Sequence, residues 1–147
     1  RWFVSMLVED TIAPAPASSA AVGLDAGVTS LVTLSTGEKM ANPRRDRKRL
    51  AKAQRELSRK AKGSANREKA RQKVARVHAR IADRRRDFLH KLSTRLVREN
   101  QTVVIEDLTV RNLLKNGKLA RAISDAAWTD LRMMLEYKCA WYGRELV

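Results

Sequence analysis

Cysteine, glycine, proline and aromatic residues are all scarce in this sequence of 147 residues. It contains 1 cysteine, 2 histidines, 6 glycines and 3 prolines, and 5% of its residues are aromatic. One cysteine excludes a disulfide framework, and one cysteine with two histidines is too few for a four-ligand zinc site. No uncharged apolar run reaches the roughly 18 residues of a membrane-spanning helix. We therefore expect a soluble protein with one main domain and no membrane partner.

Basic residues, in contrast, are abundant and unevenly distributed. The chain has 31 Lys and Arg against 16 Asp and Glu, a formal net charge of +15. Residues 41–100 hold 22 of the basic and 6 of the acidic residues, so this segment carries the whole excess of positive charge. A cationic element attached to a near-neutral body is typical of proteins that bind polyanions, most often nucleic acid. The alternative is a solvated helical face, but such a face usually mixes both signs to gain ion pairs.

The first forty residues have the alternation and turn residues of β structure. Residues 1–8 are apolar on both faces of a strand pattern, which predicts a strand buried on both sides. Residues 11–20 contain two prolines among small residues and are predicted to be a linker. Residues 21–41 are predicted to form a three-stranded meander. The sequence begins without methionine or a signal peptide, and we expect it to come from within a longer protein.

After Pro43 the hydrophobic period changes to that of a helix. Two narrow apolar stripes, interrupted at Gly63 and Ser64, predict two long helices that form a basic arm over residues 43–100. A narrow stripe suits an arm that packs along one edge and offers its other faces to a polyanion. We expect the nucleic-acid contacts to come from basic residues along this arm, namely Arg44, Arg45, Lys48, Arg55, Arg59, Lys60, Lys62, Arg67, Arg71, Arg84, Arg85 and Arg86.

A β-branched segment and a second apolar helix follow the arm. Residues 101–108 are predicted to form a strand that ends in two acids. Apolar positions from Trp128 to Tyr142 recur at helical spacing, and Ser124 is a suitable N-cap. The aromatic residues of this helix are expected to lie in the core, and residues 144–147 open a further strand. This order of strands and helices predicts an α/β fold with a mixed sheet.

Two carboxylates lie where the strand pattern calls for apolar residues. Asp25 ends one apolar segment in GLDAG, and Glu106 ends another in VIEDL. A buried carboxylate without a partner costs several kcal/mol, so an acid in such a place usually has one. Two carboxylates from neighbouring strands can bind Mg²⁺ or Mn²⁺ ions for phosphodiester hydrolysis. The alternative is that both acids are ordinary turn or surface residues at strand ends.

Three motifs occur in order along the chain and together indicate a family. They are VGLDAGV at 22–28, the arm segments QRELSRK at 54–60 and RRDFLHK at 85–91, and VIEDL at 104–108. The chain resembles the RuvC-like nuclease region of the OrfB/TnpB proteins of insertion sequences, RNA-guided DNA endonucleases that are classed as probable transposases. The resemblance implies an α/β fold of the RNase H-like (RuvC) type, with a mixed sheet and an inserted long basic helical arm.

The resemblance also implies roles for particular residues. Asp25 and Glu106 would be catalytic residues that bind Mg²⁺ or Mn²⁺, and the arm would contact guide RNA and target DNA. Residues 1–10 would be the terminal strand of a preceding β domain, residues 11–20 a linker, and residues 21–147 an incomplete nuclease domain. The third catalytic Asp and the zinc site of the family have no counterpart in this sequence. We therefore expect the full-length parent to be a metal-dependent DNA endonuclease of the prokaryotic cytoplasm and nucleoid, and this chain to be inactive alone.

Two other functions fit parts of the same pattern. Residues 23–30 also resemble the phosphate-binding hairpin of actin-like ATPases and sugar kinases, in which Asp25 would serve the Mg²⁺ of ATP. A kinase of that kind has no use for the charge of the arm. The second alternative is a non-catalytic module that holds nucleic acid through phosphate contacts, with both acids in structural roles.

Overall fold

Five strands and three helices make up the described part of the chain, which comprises residues 2, 4–27, 30–41, 47–106 and 128–147 of a computed structural model. The elements in chain order are β1 (Ala21–Ala26), β2 (Ser30–Leu34), β3 (Lys39–Ala41), α1 (Arg47–Ser58), α2 (Ala65–Glu99), β4 (Thr102–Ile105), α3 (Trp128–Tyr142) and β5 (Glu145–Leu146). The predicted α/β class is confirmed. The predicted N-cap at Ser124 lies outside the described residues.

All five strands belong to one mixed sheet in the order β3-β2-β1-β4-β5. β2 pairs antiparallel with β1 and with β3, which confirms the predicted meander. β4 lies parallel to β1, and β5 lies parallel to β4. Parallel neighbours require a crossover connection. The two basic helices lie in the connection between β3 and β4, and α3 lies in the connection between β4 and β5.

The hydrophobic core lies on one face of the sheet. Val22 and Leu24 of β1 and Val103 of β4 are at most 4% exposed, and alternate residues of a strand share a face. The C-terminal part of α2 and the apolar stripe of α3 supply the helical side of this core with Leu89, Leu92, Leu96, Val97, Trp128, Leu131, Leu135 and Cys139. The apolar stripe predicted for the last helix is therefore confirmed. Its aromatic residues are not all buried, because half of the Trp141 side chain is exposed.

The basic arm is a helical hairpin. Gly63 adopts φ = +80° in the turn between α1 and α2, a conformation that side-chain-bearing residues rarely adopt. Ser64 caps α2, where its hydroxyl accepts a hydrogen bond of 3.2 Å from the backbone amide of Arg67. The Arg67 guanidinium donates to the carbonyl oxygens of Leu57 (3.2 Å) and Lys60 (3.0 Å), which ties the end of α1 to the start of α2. Both predicted helices and the predicted break between them are confirmed.

Only the C-terminal part of α2 packs against the sheet. α2 has 35 residues, a length of about 52 Å at 1.5 Å per residue. Its residues from Phe88 onwards contact the core, whereas the described core contains no residue of α1 and none of α2 before Phe88. The earlier turns of α2 pair with α1 instead. Among the described helices, none is both long and apolar enough to span a bilayer.

The strand predicted over residues 1–8 is absent from the described residues of this segment. Positions 2 and 4–20 contain no strand, and Trp2 and Leu7 are fully exposed. A strand requires neighbouring backbone groups with which its amides and carbonyls can pair. The strand prediction is therefore wrong for this chain, and the assignment of this segment to a preceding β domain stays a prediction.

A buried lysine connects α3 to α2, and no feature of the sequence pattern indicated it. Lys138 is 5% exposed, and its ammonium group donates to three oxygens of α2: the carbonyl of His90 (2.9 Å), Ser93 Oγ (2.7 Å) and Thr94 Oγ1 (2.8 Å). Ser93 is fully buried and donates in turn to the carbonyl of Leu89 (2.7 Å). Burial lowers the pKa of Lys138 below its usual value of 10.5.

The free energy of unfolding should therefore rise with pH through the contribution of Lys138. Because its pKa is lower in the folded state, the unfolded state binds more protons between the folded-state pKa and 10.5, and stability increases with pH in that window. Lys138→Met keeps the aliphatic stem and removes this contribution. Urea unfolding at a series of pH values, from neutral up to the usual lysine pKa, measures the free energy of unfolding of both chains. The value for the unmodified chain minus the value for the variant should grow with pH. A constant or shrinking difference would contradict the prediction.

Candidate functional site

Asp25 lies near the end of β1, and Glu106 directly follows β4, the parallel neighbour of β1. In the parallel pair of β1 and β4, Leu24 is the register partner of Ile105. Asp25 is the next residue of β1 after this last pair, and Glu106 directly follows β4. Residues in register on neighbouring strands point to the same face, and the strands lie about 4.8 Å apart. The two carboxylates predicted from the sequence therefore lie at the carboxyl ends of two neighbouring parallel strands.

Both carboxylates are exposed. Leu24 points into the core, so Asp25 projects from the opposite face of the sheet. Asp25 and Glu106 are accessible to solvent, and Val104 on the same face is 42% exposed. Neither acid forms an ion pair with any residue that the structure describes. The expectation that these acids replace buried apolar residues is thus wrong, because the strand pattern alone does not tell which face of a strand is covered.

A row of polar side chains extends from Asp25 across the sheet. Asp25 is the register partner of Thr33 in β2, and Thr33 is the register partner of Lys39 in β3. Cross-strand partners share a face, so Lys39, Thr33 and Asp25 form one row. The sequence analysis did not identify Thr33 or Lys39, although the short turn between β2 and β3 and the alternation along β1 and β2 together would have indicated this pairing.

A tight turn holds the end of β1 in place. The Gly27 amide donates to the carbonyl of Leu31 (3.3 Å), which closes the connection from β1 to β2. A Cβ atom at Gly27 would lie 2.7 Å from the carbonyl oxygen of Ser30, so a larger residue would force the backbone apart. Gly27, which directly follows β1, thus has no room for a side chain where it approaches Ser30.

The carboxylate pair fits a divalent cation. Oxygen ligands are those that Mg²⁺ and Mn²⁺ prefer, and Mg²⁺ is commonly bound by one or two carboxylates, with water and substrate phosphates completing the coordination. Among the residues that the structure describes, no group of three His, Cys, Asp or Glu side chains could hold a metal ion. The described part of the site thus presents two exposed carboxylates and no third acid, histidine or cysteine grouped with them.

Most of the predicted nucleic-acid-binding residues lie on exposed surfaces of the arm. Arg44 and Arg45 are outside the described residues, and the other ten lie on α1, on α2 or in the turn between them. All of these ten are exposed except Arg67 and Arg85, which are half-buried. The guanidinium of Arg67 is engaged by the carbonyls of α1, and that of Arg71 forms two hydrogen bonds of 2.9 Å with Glu68.

The arm also contains basic residues that the sequence analysis did not select. A cleft of about 430 Å³, here called the arm cleft, lies between α1 and α2 and is lined on both sides by cationic side chains. The two helices come together only in the folded hairpin, so a pattern read along one helix at a time does not show this cleft.

Comparison with known proteins identifies the family. The sequence profile of the OrfB/IS605 family, which is described as "Probable transposase", matches residues 3–117. The chain belongs to the OrfB family of transposases. The resemblance stated from the three motifs is thereby confirmed for this OrfB chain.

Three relatives of this OrfB protein share the name "Putative RNA-guided DNA endonuclease". One from Streptomyces pristinaespiralis is 86% identical over 150 aligned residues, which cover 100% of the chain and 37% of the relative. InsQ of Escherichia coli K12 is 37% identical, and the match covers 100% of the chain and 41% of InsQ. A Mycobacterium tuberculosis protein is 35% identical over 86% of the chain and 30% of its own length. The chain thus spans about two fifths or less of these relatives.

Proposed function

We propose that this OrfB chain is part of an RNA-guided DNA endonuclease that hydrolyses phosphodiester bonds with two divalent metal ions, and that its basic arm binds nucleic acid. The observation that supports the proposal is the parallel pairing of β1 and β4, which, continued by one residue, would set Asp25 opposite Glu106. The names of the relatives support the substrate, because each names DNA as the target and RNA as the guide. A cytoplasmic, nucleoid-associated location is part of the same proposal.

We infer further that the sheet is of the RNase H-like, RuvC type. The supporting feature is the strand order, in which an antiparallel meander leads outwards from β1 on one side and two parallel strands continue on the other. The direction in which successive strands are added to the sheet reverses between β1 and β4. In open α/β sheets, ligands bind at the carboxyl ends of the strands beside such a switch point. Asp25 and Glu106 lie at these two strand ends.

Two sets of residues in the chain would have different roles. Asp25 and Glu106 would hold the metal ions, and the cations of the arm would hold the nucleic-acid backbone nearby. Bound Mg²⁺ or Mn²⁺ would stabilise the charge that develops on the phosphate during hydrolysis. Because the described residues offer two acids and the family pattern has a third, the proposal includes that the 147-residue chain does not cleave DNA alone.

Titration of the isotope-labelled chain with Mn²⁺ tests the metal site. Paramagnetic Mn²⁺ should first broaden the amide signals around Asp25 and Glu106. Asp25→Asn and Glu106→Gln should each remove this local broadening, since each takes away a negative oxygen ligand. Asp130→Asn, at an exposed acid in the first turn of α3, is the matched control and should leave it unchanged. Broadening that survives both site substitutions would contradict the proposal and favour the non-catalytic module.

A further inference from the structure

The arm cleft has two walls of the same design. Each helix contributes four residues at positions i, i+3, i+4 and i+7, which lie along one helical face. The i+4 residues, Ala53 of α1 and Val77 of α2, are buried and form the floor. The remaining six lining residues are all charged: Arg49, Lys52, Glu56, Lys73, Arg76 and Arg80.

The charges in the cleft are strongly unbalanced. Five cations face one carboxylate, a net charge of +4. Lys73 Nζ lies 2.5 Å from Glu56 Oε2, and this hydrogen bond lowers the pKa of Glu56, so the carboxylate is ionised at neutral pH. Within the described ranges the other four cations form no ion pair. The cleft therefore concentrates positive charge that the described protein does not neutralise.

The unpaired cations lie towards one end of the cleft. α1 and α2 are joined by a short turn and run antiparallel, so Glu56 near the end of α1 meets Lys73 near the start of α2. The same arrangement brings Arg49 and Arg80 to the opposite end. Neighbouring like charges on helices destabilise the free protein. An anion bound between the two walls would relieve this repulsion.

We propose that the arm cleft binds the phosphodiester backbone of a nucleic acid, held between Arg49 of α1 and Arg80 of α2. The proposal rests on the proposed function, in which the arm as a whole binds nucleic acid. Arginine presents a fork of donors that matches phosphate oxygens. Ala53 and Val77 form too small an apolar surface to bind a large apolar group. The cationic walls therefore select a ligand by its negative charge. RNA and DNA share this backbone chemistry, and the experiment below separates them.

Binding of fluorescent nucleic-acid duplexes to the whole chain tests the proposal. The variant Arg49→Gln/Arg80→Gln removes two charges from the cleft. Lys69→Gln/Arg98→Gln is the matched control, because it removes two charges from exposed positions of α2 that do not line the cleft. At about 0.1 M salt the cleft variant should bind duplex DNA about tenfold or more weakly than the control. The reason is that each phosphate contact contributes about −0.9 to the slope of log K, the association constant, against log salt concentration. Its salt slope should also be smaller in magnitude by about 1.8.

A second pair of variants tests the same site by increasing its affinity for nucleic acid rather than decreasing it. Glu56→Gln removes the one carboxylate among the described residues that line the cleft and releases Lys73. Glu68→Gln releases Arg71 from an ion pair outside the cleft and is its control. Both substitutions add the same net charge, so a greater gain in affinity with Glu56→Gln supports the cleft as the binding site. Circular dichroism of each variant shows that the helices are intact.

The outcomes separate failure of the cleft from failure of the proposed function. If the unmodified chain shows no salt-dependent binding to either duplex, the arm does not bind nucleic acid and both proposals are overturned. If it binds but the cleft and control variants lose affinity equally, only the cleft is overturned. A selective loss on the RNA duplex, or on the DNA duplex, supports the cleft and identifies the nucleic acid that it holds.

Discussion

Asp25→Ala should reduce Mg²⁺-dependent DNA cleavage by at least about a thousandfold in a full-length nuclease that contains this chain. Metal ions supply several kcal/mol of charge stabilisation in phosphodiester hydrolysis, and each 1.36 kcal/mol corresponds to about a tenfold change in rate. Asp25 is one of the two acids proposed to hold the metal ions, so its loss would leave only Glu106 of this pair. A suitable protein is a chimera in which this chain replaces its 86% identical counterpart in the Streptomyces relative. Cleavage of a matched target under single-turnover conditions measures the effect.

Binding and control measurements make this result specific. The Asp25→Ala chimera should bind guide RNA and target DNA with unchanged affinity, because the carboxylate lies on the sheet and not on the arm. Asp130→Ala removes an exposed acid from α3 and should cleave at the unmodified rate. If Asp25→Ala retains cleavage within tenfold of the unmodified chimera, the two-metal mechanism proposed for this site is wrong.

Leu131→Ala should lower the free energy of unfolding of the chain by about 2–5 kcal/mol. Leu131 is fully buried in α3 within the core that α3 and α2 form on the sheet. Truncation removes buried apolar surface and leaves a cavity that the surrounding side chains fill only in part. The loss is a large fraction of the total stability of a typical domain, about 5–15 kcal/mol. Urea denaturation followed by circular dichroism measures it.

Met133→Ala provides the matched control on the same helix. Its side chain is 53% exposed, so the substitution changes helix composition in a similar way without opening a core cavity. We expect its effect to stay below about 1 kcal/mol. Equal effects of the two substitutions would show that α3 does not pack against the sheet as described.

Local patterns were sufficient for most of the secondary structure. The meander of β1 to β3 follows from alternation and a turn, and the break in the arm follows from Gly63 and Ser64, whose conformational preferences act within one turn of helix. The stripe of α3 follows from the period of a single helix. In each case the physical signal lies within a few residues of the structure that it predicts.

Features that depend on pairing between distant segments were not predictable in the same way. The strand at residues 1–8 was predicted because both faces of the strand pattern are apolar, but a strand also needs a paired neighbour. Lys138 is buried because three oxygens of α2 accept its hydrogen bonds, and nothing in the sequence around it indicates those acceptors. The candidate carboxylates were identified from their strand ends, whereas their exposure depends on which face of the sheet the helices cover.

The division of α2 has a consequence for how the arm can change in evolution. The turns before Phe88 contact α1 and the turns after it contact the core, so the tip of the hairpin can lengthen or shorten without altering the sheet. Adding one whole turn to both helices would extend its reach by about 5.4 Å and preserve the angular phase of every residue below it. Under the proposed function, the reach of the arm along a nucleic acid can thus vary independently of the strand ends that carry Asp25 and Glu106.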